Sequence, residues 1–139
     1  MRLSTHFTLD ELVHPDIITK VGDRAADFLH PELVPTLEAI RARFGAIAVN
    51  GIYKGKTFSH SGLRLPDSPI GANLSSHKFG CSCDCKFYGE TPQAIQKYII
   101  RNQSEFPHIS RMENADVTVT WLHIEVTSKR NKSIKVFNP

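Results

Sequence analysis

Two short stretches constrain this chain more than any other feature: Ser75-Ser76-His77-Lys78-Phe79-Gly80-Cys81-Ser82-Cys83-Asp84 and Trp121-Leu122-His123-Ile124-Glu125. They offer two imidazoles and one carboxylate suited to a single metal ion. If His77, Asp84 and His123 share one, the chain has to fold so that the segment around Asp84 meets the segment around His123. Three protein ligands of the N and O type leave the fourth tetrahedral corner free, and a water held there ionises near neutral pH. That is the ligand set of a hydrolytic site.

A His followed seven positions later by an Asp arises by chance in roughly a third of chains with this content of the two residues, so the pair alone decides nothing. Requiring Gly three residues after the His and Ser two before it lowers the expectation to roughly two in a thousand. Each position also has a physical reason. Gly80 permits the positive φ or close backbone approach needed where the His77 segment turns into a strand starting near Cys81. Side chains alternate along a strand, so Ser82 and Asp84 share one face while Cys81, Cys83 and Cys85 share the other. The three cysteines are then small core residues, since their alternation is unlike the C-x-x-C pairs of structural zinc sites. An odd number of thiols is also compatible with a reducing compartment. His123 lies in a second strand-like run, 117–126, whose Val, Thr, Trp and Ile favour a pleated surface.

These residues resemble the zinc D-alanyl-D-alanine carboxypeptidase family, which includes VanX-type dipeptidases, VanY-type carboxypeptidases and phage L-alanyl-D-glutamate endolysin peptidases. Its first motif reads S-x-H-x-x-G-x-A-x-D. Ser75, His77, Gly80 and Asp84 match it with Ser82 in place of the small Ala, and 121–125 is similar to the second motif, W-x-H-x-D/E. The resemblance implies one Zn²⁺ held by His77, Asp84 and His123. It extends more weakly from His6-Phe7-Thr8-Leu9-Asp10-Glu11-Leu12 to Gly71-Ala72-Asn73-Leu74, in the manner of the short single-domain phage and prophage members. Ser61-Gly62-Leu63-Arg64 fits the family's S-G-Y-R type turn, which makes Arg64 the residue expected to orient a substrate carboxylate.

The chain departs from the pattern at two places. VanX-like members place an acidic general base three positions before the last zinc ligand, and Thr120 stands there. Such a base contributes about 10²–10⁴-fold. Glu113 and Asp116 lie upstream and Glu125 downstream, and Asp116 is the candidate acid or base on proximity in sequence. The second departure is an inserted segment, 52–60, before the Arg64 turn. His60 within it could serve as an acid or base, since an unperturbed imidazole titrates near neutrality, but it reads most simply as a solvated loop histidine.

Composition bounds the rest. A chain of 139 residues with 40% hydrophobic content suits one core and a single domain over 1–139. A formal charge of +3 favours approach to an anionic polymer such as peptidoglycan with its acidic stem peptides. The charges are too few, and lack an aromatic-basic platform, to argue for nucleic acid. No stretch approaches the roughly 20 apolar residues that span a bilayer, and the amino terminus has no signal-peptide pattern. The expectation is a protein of the producing cell's cytoplasm that acts on the cell wall after release or delivery. Nothing in the sequence fixes an oligomeric state.

Element by element, Thr8 and Glu11 form a capping box opening a short helix, with Phe7 placed to pack on Leu12. Residues 16–29 read as loop and short helix, and Pro31 opens a helix to Phe44, with Gly45 as terminator. A strand at 46–50 feeds a long polar loop through Leu74 that frames the mouth of the site. Thr91-Pro92 starts a helix ending near Asn102. Residues 108–112 and 117–126 form a hairpin, and 133–137 adds an edge strand. The sum is an α+β domain, helices packed on a mainly antiparallel sheet. The resemblance implies the fold shared with the hedgehog amino-terminal domain, which serves as a ligand, so function has to be argued from the site. Two functions compete: a zinc peptidase of peptidoglycan, and a zinc-stabilised binding protein on the same scaffold.

Overall fold

In the computed structural model, residues 1–139 form four helices and seven strands: α1 (Leu9–Leu12), α2 (Pro15–Val21), α3 (Leu33–Phe44), β1 (Ile47–Ala48), β2 (Gly51–Tyr53), β3 (Lys56–Phe58), β4 (Ser82–Phe87), α4 (Pro92–Arg101), β5 (Ile109–Glu113), β6 (Leu122–Val126) and β7 (Lys135–Phe137). Single 3₁₀ segments follow α2 (Gly22–Phe28), precede β4 (Ser76–Phe79) and follow α4 (Gln103–Glu105). Five strands make one sheet in the order β1-β4-β6-β5-β7, antiparallel throughout except for the β5–β7 pair, while β2 and β3 form a separate hairpin. This is an α+β architecture on a mainly antiparallel mixed sheet. No helix is long and apolar enough to cross a membrane.

The β4–β6 register sorts the side chains of both strands. Asp84 stands opposite His123, and Ser82 opposite Glu125. Alternation then sends Cys83, Cys85 and Phe87 of β4, with Leu122, Ile124 and Val126 of β6, into a core of 25 buried residues. Leu33, Leu37 and Ile40 of α3 and Ile95 and Ile99 of α4 belong to the same cluster. The polar residues Ser82, Asp84, Lys86, His123 and Glu125 fall on the opposite face. One face of the sheet is thus closed by helices, and the other carries the chemistry.

Local signals set most boundaries. The Thr8 N–H donates to the Glu11 carboxylate at 2.7 Å, and Phe7 and Leu12 are both buried. Thr91 Oγ1 accepts from the Ala94 N–H at 3.1 Å, capping α4 with Pro92 in its first turn.

Four expectations change. The helix expected from Pro31 begins at Leu33, because the Leu33 N–H bonds the His30 carbonyl and leaves 31–32 as a turn. The loop expected after Asn50 contains the β2–β3 hairpin, closed by Lys54 and Gly55 at φ 47° and 76°, the two positive values of a type I′ turn. The strand expected over 117–126 begins only at Leu122. The Asn114 carbonyl accepts from the Val117 and Thr118 N–H groups, winding the preceding residues into turns that leave Val117 and Val119 exposed. Cys81 precedes β4, its N–H bonded to the Ser76 carbonyl, so only Cys83 and Cys85 lie in the core.

Candidate metal centre

His77 sits on the 3₁₀ segment that Ser75 caps, the Ser75 Oγ accepting from the His77 N–H at 3.3 Å. Gly80 ends that segment at φ 69°, and a Cβ there would lie 1.9 Å from the Phe28 carbonyl oxygen. Both the conformation and the space require glycine. Gly62 is equally confined, a Cβ on it meeting the Leu12 oxygen at 2.1 Å. This close approach brings the Gly62 carbonyl to His77, whose Nδ1 donates to it at 3.0 Å. With the proton placed on Nδ1, the Nε2 lone pair faces the sheet.

There it meets the cross-strand pair. His77 Nε2 and His123 Nδ1 lie 3.3 and 2.8 Å from the same oxygen, Asp84 Oδ1. One ligand atom from each of the three residues falls within 4.8 Å of the others, and both imidazoles are buried. The far nitrogen of His123 lies 3.1 Å from Glu125 Oε1, and Glu125 is itself steadied by Ser76 Oγ at 3.2 Å and Arg111 at 3.6 Å. A carbonyl behind one imidazole and a carboxylate behind the other are the outer supports typical of metal-bound histidines. The group can hold a metal ion, and its N₂O donor set is of the kind that first-row metals accept.

The two carboxylates make the site electronegative, a charge that a proton on His123 or a bound cation would offset. Burial would raise the Asp84 carboxyl, but the hydrogen bond from His123, with the close approach of His77, holds it far below the usual carboxylate range. Burial would likewise lower His123, yet its contacts with Asp84 and Glu125 push it up to about 9. Glu125 is lowered, its contact with His123 outweighing its own desolvation. By contrast, burial pushes the Cys85 thiol up to about 12, which leaves it inert as a ligand.

The other candidates divide. Arg64 reaches the centre: its Nη2 lies 3.4 Å from Asp84 Oδ2, its Nε donates to the His60 carbonyl at 2.6 Å and its Nη1 to the Ile70 carbonyl at 3.4 Å. Asp116 does not reach it. The residue is exposed in the 114–121 connection, its N–H is bonded to Asn114 Oδ1, and it lines neither cavity beside the centre. The carboxylates that do line the cavity of about 710 Å³ over the centre, besides Asp84, are Glu113 and Glu125. Alternation was the available signal for both, since Glu113 ends β5 two residues after Arg111, and Glu125 follows His123 by two. His60 packs on His14 with ring centres 4.7 Å apart, and desolvation lowers its pKa, aided by the charges of His14 and Arg64. It belongs to the neighbouring cavity rather than to the ligand group.

Comparison of the chain with family models, with curated proteins and with solved structures finds no match.

Proposed function

We propose that this protein is a zinc peptidase that hydrolyses peptide bonds involving D-amino acids in peptidoglycan, on the scaffold shared by the D-alanyl-D-alanine carboxypeptidases and the hedgehog amino-terminal domain. The observation that carries the reading is the convergence of His77 Nε2 and His123 Nδ1 on one oxygen of Asp84, from motifs with the family's residue pattern. Zinc held there supplies Lewis acidity toward a carbonyl and lowers the pKa of water. The protein supplies position and proton transfer. Glu125 orients His123, and Arg64 holds Asp84 in place. Glu113 lines the cavity with no hydrogen bond to its carboxylate, so it can take up and release a proton, which the Thr120 hydroxyl, not ionised near neutral pH, does not do.

The substrate, on this reading, is a stem peptide of the cell wall, reached after release or delivery from the producing cell. The test is zinc content together with muropeptide release. Wild-type protein should carry one zinc and release fragments, and His77→Ala should lose both. Glu113→Gln should keep its zinc and slow release by about 10²–10⁴-fold, while Asp116→Asn should match wild type. Equal release by wild type and His77→Ala would falsify the enzyme. Zinc binding without any release would support the second reading, a zinc-stabilised binding protein, which Thr120 at the usual position of the acid favours.

A further inference from the structure

The face of β4 that presents Asp84 also presents Lys86, two residues on. Lys86 is 3% exposed. Its Nζ donates to Ser61 Oγ at 2.8 Å and to the main-chain oxygen of Asp84 at 3.3 Å, and lies 4.2 Å from the centre of the Phe58 ring. No partner in that set is a carboxylate. Burying an ammonium is costly without a charge to offset it, and neutral oxygens here serve two of its three protons. Lys86 lines a cavity of about 590 Å³ between the β2–β3 hairpin and the metal centre. Lys54, Lys56 and Arg64 line it too, and Asp84 is the one acidic residue on its wall. Arg64 is less available to an incoming anion because its charge is already paired with the Asp84 carboxylate, Nη2 lying 3.4 Å from Oδ2.

We infer that this cavity is a subsite for a carboxylate of the ligand, with Lys86 as the charge partner at its floor and Lys56 at its exposed rim. Calling that ligand a substrate rests on the peptidase reading; the subsite itself does not. The class of molecule selected is a peptide with a carboxylate, terminal or side-chain, on the hairpin side of the metal. The inserted segment, part of the loop expected to frame the mouth of the site, thereby becomes a wall of the binding cleft.

Trp121 is the chain's single tryptophan and lines both this cavity and the one over the metal centre, so its fluorescence reports binding and the lysine variants assign it to this cavity. The probes are N-acetyl-D-glutamate, which offers two carboxylates and no bond between residues, and its diamide. Zinc-loaded wild-type protein should bind the acid about tenfold tighter than the diamide, as expected for one charge-assisted contact. Lys86→Met should bring that ratio close to one while zinc content stays unchanged. Lys56→Gln, on the exposed hairpin, should lower the ratio about twofold and decides the matter if Lys86→Met fails to fold. Equal affinity of the wild type for acid and diamide overturns the subsite, as does an unchanged ratio in the folded variants. A carboxylate preference without stem-peptide hydrolysis supports the subsite and counts against the peptidase. Hydrolysis without the preference overturns the subsite alone.

Discussion

His123 shows at the scale of one side chain how the centre handles charge. Its imidazole lies between Asp84 and Glu125, and those two contacts raise it from its usual 6.5 to about 9 against the opposing effect of burial. A group raised on folding contributes stability that is fully present below its unfolded pKa and lost as pH rises through the folded one. Chelator-treated protein should therefore lose thermal stability between about pH 6.5 and 9. A cation at Nδ1 must displace the same proton, so zinc affinity should climb over that window. Melting curves with and without zinc from pH 6 to 9 check both: the zinc-induced gain should widen with pH, and a constant gain would refute the assignment of His123 as a ligand.

At the scale of the element, the 3₁₀ segment carrying His77 depends on Gly80. Substituting Gly80→Ala forces a positive φ on an L-residue and drives a methyl into the Phe28 carbonyl. Destabilisation of about 2–4 kcal/mol is expected, together with weaker zinc binding, as read by denaturant melts and metal titration. Part of this element was legible beforehand: Gly80 as the turn out of the His77 segment and Asp84 two positions beyond Ser82 come from turn chemistry and alternation, whereas the capping role of Ser75 emerges only in the structure. The β2–β3 hairpin was not. Its turn is Lys54-Gly55 rather than Asn-Gly or Asp-Gly, and each strand has three residues, too few for a periodic signal. Asp116 misled for a related reason. Distance along the chain says nothing about direction once Asn114 winds the backbone into a turn, whereas counting by twos from Arg111 leads to Glu113.

For the molecule as a whole, the ligand group ties the neighbouring His77 segment and strand β4 to strand β6, which is distant from both in sequence. A ligand that binds only the folded form adds about 4 kcal/mol at a thousandfold excess over its Kd. Removing zinc should therefore lower the melting temperature by about 10 °C or more, and calorimetry before and after chelation reads this directly. His77→Ala should melt at the same temperature with or without zinc. The overall architecture was foreseeable because apolar and polar residues alternate in 82–87 and 122–126, while helix caps mark α1 and α4.

The pairing of Asp84 with His123 has a consequence for how this chain can vary over time. Because neighbouring positions on β4 and β6 point to opposite sides, inserting or deleting one residue in either strand would swap the reactive side chains with the greasy ones and ruin both at once. Length variation among descendants of this chain should accordingly be confined to the connections, above all around the Lys54-Gly55 tip, leaving the strands themselves free to change letters but never their count.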